Sequence, residues 1–155
     1  LIDRELELVL KRLEWAPRLL LHKRAALFAD PYLFMGLAQL ADDLGCEIAA
    51  GAIMSHPGKL PENFQAMFPE LPKPLFEPTG MEWGAELSRA GRIDFCVGNN
   101  FMRSDQISQS AFVELGFPSY GYHALSERPF LGFTGCLQFV ERLINSLLSK
   151  DGHHL

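Results

Sequence analysis

A chain of 155 residues suffices for one domain with a sizeable core and is marginal for two. Apolar residues make up 48%, charged residues 21%, and the formal charge is −5, which argues against a phosphate-facing nucleic-acid surface. No apolar run reaches the roughly 18 residues of a membrane-spanning helix, and the acidic amphipathic start LIDRELELVLKR is no signal peptide.

Residues 2–15 carry Ile2, Leu6, Val9, Leu10 and Leu13 at helical spacing, and Pro17 is predicted to stop this leading helix of residues 1–16. Opening within a helix and without an initiator methionine, the chain reads as a piece of a longer protein. Arg24–Ala29 is a short apolar run that suits a buried strand. Asp30 follows as N-cap and Pro31 as the first helical residue. The helix behind them uses Leu33, Phe34, Leu37, Leu40, Ala41 and Leu44, and Gly45 is expected to close it in a left-handed conformation. Glu47–Ile53 returns as a second strand, small and apolar enough to be covered on both faces.

Six of the ten prolines fall between Met54 and Thr79, the least regular region, where a short helix near 61–68 and a short strand at Pro74–Glu77 are expected. Met81–Ala90 is predicted helical, with Trp83 and Leu87 on one face and Gly91 at its end. Ile93–Val97 is another buried strand, stopping at Gly98-Asn99-Asn100. Ser104 or Asp105 is then expected to cap a helix bearing Ile107, Ala111, Phe112 and Leu115, with a last short strand at Phe117-Pro118. The stretch from Gly116 to Gly135 is rich in aromatics (Phe117, Tyr120, Tyr122, Phe130, Phe133) around one histidine, His123. It is long for a connector and suits a surface on which something else sits. A final helix covers about Phe133–Ser149, and residues 150–155 form a tail. Strands alternating with helices predict one α/β domain over residues 1–155: a Rossmann-like, doubly wound, mainly parallel sheet of about five strands with helices on both faces.

Ligands of such folds sit beyond the carboxyl ends of the strands, where strand order reverses. With strand order 3-2-1-4-5, Asp30, Asn99, Asn100, Ser119, Tyr120 and His123 gather there as candidate cofactor-binding residues. Each has a plainer reading: Asp30 as a helix cap, the asparagines as turn formers, His123 as a loop-shaping group. Cys46, Cys96 and Cys136 are widely spaced and form no C-x-x-C pair, so they read as buried free thiols of a reducing cytoplasm. No G-x-G-x-x-G, G-x-S-x-G, H-E-x-x-H or P-loop occurs. No nucleophile or acid–base pair supports an independent small-molecule enzyme.

Ala26-Leu27-Phe28-Ala29-Asp30-Pro31 with the Leu44–Glu47 corner, Ile93–Asn99, and Gly116-Phe117-Pro118 followed by His123 and Gly132-Phe133-x-Gly135 resemble, in this order, the last domain of nitrogenase component 1 type proteins, and most of all their β-type branch. That resemblance implies a C-terminal domain of a nitrogenase-like oxidoreductase subunit, or of an iron-molybdenum cofactor assembly scaffold, in nitrogen fixation. It implies an iron-sulfur or iron-molybdenum type cluster for the full-length complex, with His123 as a candidate metal ligand. It also implies three partners: the other domains of the subunit, a homologous subunit and a reductase component. The isolated domain is expected to be inactive and to hold no cofactor by itself. Gly121-Tyr122 replaces the Asp-Arg pair usual in β-type closing loops. A standalone binding or regulatory module without redox chemistry is the alternative, and a complete gene of this size would favour it.

Overall fold

The computed structural model describes residues 2–69, 71–103, 105–116 and 132–150. Helices α1 (Ile2–Leu13) and α2 (Ala16–Leu20) precede β1 (Arg24–Ala29), α3 (Pro31–Asp43) and β2 (Glu47–Ile53). A short α4 (Phe64–Met67), a two-residue β3 (Leu75–Phe76), α5 (Gly80–Ala90), β4 (Phe95–Gly98), β5 (Ala111–Glu114) and α6 (Gly132–Lys150) follow. The sheet has five strands in the order β3-β2-β1-β4-β5, and every pair is parallel. The fold class and the strand order expected from the sequence are therefore those observed.

The central strand explains the layering. β1 is an unbroken apolar run because both its faces are covered. Ala25, Leu27 and Ala29 point into a core shared with α3 and α6, through Phe34, Leu37, Val140 and Leu143. Ala26 and Phe28 point the other way, against Trp83 and Leu87 of α5. Phe28 and Trp83 meet as tilted rings with centroids 5.9 Å apart, an arrangement that suits their quadrupoles.

The helix ends follow from local chemistry. The Asp30 carboxylate accepts from the backbone N–H groups of Tyr32 and Leu33, both at 3.1 Å, and Gly45 at φ +74° ends α3. Thr79 and Glu82 form a reciprocal capping box that starts α5, unmarked in the sequence reading, and Gly91 at φ +76° ends it.

Two expected elements differ. The leading helix is in fact two, and Pro17 lies in the first turn of the second, where its missing N–H costs nothing. The helix expected from Ser104 or Asp105 to Leu115 is instead a single 3-10 turn (Asp105–Ile107) followed by edge strand β5, so the fifth strand lies upstream of Phe117-Pro118. Ala111 and Val113 face the core while Phe112 and Glu114 are half-exposed, a period of two that the helical spacing of Ile107, Ala111 and Leu115 masked. Tertiary contacts favour the strand. Ser110 Oγ donates to Ile93 O at 2.7 Å, and the β5 side is held by α6 through Arg142 Nη2 to Glu114 O (2.8 Å) and Ser146 Oγ to Phe112 O (3.3 Å). Covering an edge strand in this way keeps it from pairing with another chain.

Candidate functional site

Strand order reverses between β1 and β4, because the chain leaves β1 toward β2 and β3 and comes back through α5 to the other side. The crevice above the carboxyl ends of β1 and β4 is thus the place where this topology can hold a ligand. Its floor is tight. A Cβ on Gly98 would lie 3.0 Å from Phe28 Cβ and 3.1 Å from the Phe28 carbonyl oxygen, so glycine lets β4 end against the ring that stacks on Trp83.

Asn99 continues from Gly98 and is buried, with 2% exposure. Its Nδ2 donates to Met54 Sδ at 3.3 Å, while Met54 N bonds Ala29 O at 3.0 Å. Asn99 therefore ties the loop after β4 to the loop after β2 across the end of β1, and its carbonyl accepts from Met102 N to start the 3-10 turn Asn100–Met102. Asn100 is half-buried on that turn. Asp30 lies at the rim, exposed, with its carboxylate directed to the first turn of α3. The structure brings Asp30, Asn99 and Asn100 to one end of the sheet, as the sequence implied. His123, Ser119 and Tyr120 lie outside the described residues, as do Phe117, Tyr122 and Phe130. Phe133 is half-buried.

Sequence reasoning missed the apolar rim. Tyr32 is 84% exposed in the first turn of α3, Met54 44% after β2, Met81 86% in the first turn of α5 and Phe101 65% after β4. All four lie at strand carboxyl ends or at the helix starts above them. The signal was present: each is a large apolar residue within three positions of a strand end or inside the first turn of a helix, where a polar residue would cost nothing.

The clusters that the resemblance implies need thiolate, imidazole or carboxylate donors. Among the described residues no group of three or more histidines, cysteines and acidic residues is placed to hold a metal ion. The thiols are protonated in the metal-free chain. Burial pushes the Cys96 thiol up to about 12. Burial, then the Asp94 charge, pushes Cys46 up to about 11, and burial and Asp43 raise Cys136. All three stay protonated at neutral pH, and Cys46 Sγ donates to Leu20 O at 3.5 Å. The described residues carry no ligand set for a cluster.

A family model described as nitrogenase component 1 type oxidoreductase matches residues 1–148. The nitrogenase molybdenum-iron protein β chain of Azotobacter vinelandii is 27% identical over 142 residues, covering 83% of this chain and 27% of that protein. The corresponding β chain of Crocosphaera subtropica is 24% identical over 136 residues, covering 83% of this chain and 26% of that one. A solved structure of nitrogenase Cp1 at pH 6.5 matches with a TM-score of 0.78 at 22% identity, over 99% of this chain and 34% of that chain, a likeness that carries the fold. This chain spans about a quarter of the length of the curated relatives it matches.

Proposed function

Since the chain belongs to the nitrogenase component 1 type oxidoreductase family, we propose that it acts as the C-terminal Rossmann-like domain of a longer subunit, in which its carboxyl-end crevice forms one wall of a metal-cluster pocket and its apolar rim forms an interface. One observation carries this reading: Tyr32, Met54, Met81 and Phe101 are each exposed at a strand carboxyl end or a helix start, the end of the sheet to which Gly98 and Asn99 belong. Large apolar groups gathered at the ligand-binding end of a sheet mark a surface that is covered in the working assembly. The covering partners are then the other domains of the subunit and a homologous subunit, and the assembled complex receives electrons from a reductase component.

On this reading Asp30, Asn99 and Asn100 shape the pocket wall, and Ser119, Tyr120 and His123 are the further candidate cofactor-binding residues, with His123 as the candidate metal ligand. An oxidoreductase subunit is put ahead of a cofactor-assembly scaffold because the matched relatives are nitrogenase β chains. Three free thiols, and the lack of any described helix long and apolar enough to cross a membrane, fit a place in the cytoplasm. The test is anaerobic purification of the gene's full product, with iron and molybdenum content measured on wild type, His123→Ala and Phe101→Asp. Metal in the wild type, lost in His123→Ala with the fold intact, supports the ligand role; unchanged metal there removes it. Loss of the subunit partner in Phe101→Asp supports the interface. A full product of this length that carries no metal and elutes alone would replace the reading by a standalone binding module.

A further inference from the structure

The opposite end of the sheet carries a feature that the family reading leaves unused. A half-open cleft of about 450 Å³ lies between the C-terminal half of α3, the start of β2 and the segment after α4. That volume falls within the roughly 300–1,000 Å³ of small-molecule sites. Ala38, Ile48, Met67, Phe68 and Leu71 give it an apolar lining, while His22, Asp42 and Glu47 stand at its mouth.

Two irregularities of the backbone frame it. The register of β1 on β2 runs Ala25 to Ile48 and then Ala26 to Ala50, so Ala49 is an extra residue, a bulge in a parallel pair. Without the bulge, the alternation set by Gly51 and Ile53 would put Ile48 on the α5 side; with it, Ile48 turns toward α3 and the cleft. At the mouth, His22 sits at φ +59°, a left-handed conformation that a non-glycine residue rarely adopts. It is held there by its N–H on Gly45 O at 2.7 Å.

The end of α3 is acidic. The last turn of α3 carries Asp42 and Asp43 and no basic residue, against the rule that cations suit the negative end of a helix. Glu47 adds a further carboxylate, shared with Arg24 at 3.5 Å. We propose that this cleft is a second binding site, for a small organic cation in which a primary ammonium group is joined to an apolar body. The body fills the lining made by Ile48, Met67, Phe68 and Leu71. The ammonium lies at the helix end beside Asp42, supplying the positive charge that the last turn of α3 lacks.

The test is a titration of the ¹⁵N-labelled chain with 2-phenylethylammonium, followed at the backbone amides of Gly45, Ile48, Phe68 and Leu71, with 3-phenylpropionate as the anionic control. Saturable shifts confined to these amides are expected with the cation and not with the anion. Asp42→Asn is expected to weaken binding about fivefold, the worth of an exposed charge pair. Asp42→Lys is expected to abolish it while raising Tm, because lysine suits the helix end; retained folding there separates lost binding from lost structure. Equal shifts with the anion, shifts that never saturate, or an unchanged affinity in Asp42→Lys would overturn the proposal.

Discussion

At the scale of single residues, the crevice floor is tight for a methyl group. Gly98→Ala would push a Cβ into Phe28, where one of the atoms met is backbone and cannot turn away. A loss of about 1–3 kcal/mol is expected, measured as a lower midpoint in urea unfolding with an unchanged slope. Asp94 sets part of the acid sensitivity. Burial alone would raise its pKa, but its bonds from Arg24 N (2.8 Å) and from Arg92, together with the Arg92 charge, outweigh burial and hold it below the ordinary 3.8. A folded pKa below the unfolded one means stability that is fully present above pH 3.8 and lost as pH falls through the lower, folded value. Asp94→Asn is therefore expected to flatten the fall of Tm below pH 4 relative to wild type, read by circular dichroism. The Cys96 thiol, fully buried and shifted to about 12, is expected to stay unlabelled by iodoacetamide at pH 8 until the chain is unfolded.

At the scale of elements, the helices were readable because their ends are local chemistry. Asp30-Pro31 before α3 and Gly45 after it are caps that need no partner elsewhere in the chain. The same logic gives a prediction for α5: Thr79→Ala removes the hydroxyl that accepts from Glu82 N at 3.2 Å, leaves the backbone N–H of residue 79 on the Glu82 carboxylate, and is expected to cost about 1 kcal/mol, or a Tm lower by about 2–4 °C in a protein of this size. β5 was misread because its evidence is not local. The spacing of Ile107, Ala111 and Leu115 fits a helix face, and only pairing of Phe95–Gly98 with Ala111–Glu114, together with the bonds from α6, makes the strand the lower-energy choice.

At the scale of the whole molecule, the apolar rim predicts behaviour in solution. Tyr32, Met81 and Phe101 are exposed enough to contribute little to the core. Replacing Met81 and Phe101 by serine is expected to shift Tm by no more than about 2–4 °C, since each exposed substitution stays within about 0.5 kcal/mol. The same change should lower self-association in light scattering. A matching loss of stability would mean that the rim belongs to the core of this domain.

By itself the sequence determined the α/β class, the strands Arg24–Ala29 and Glu47–Ile53 to the residue, the caps at Asp30 and Gly45, and the family, because apolar periodicity, capping and local motifs are written in neighbouring residues. Only the tertiary structure decided that residues 111–114 form a strand, that Asn99 is buried against Met54 with its amide across the end of β1, that Tyr32, Met54, Met81 and Phe101 stay exposed, and that a bulge at Ala49 turns Ile48 into a cleft. Each of these depends on which segments meet in space. Burial and pairing across dozens of residues outweigh local propensities of a few tenths of a kcal/mol per residue, and no window of neighbouring residues records them.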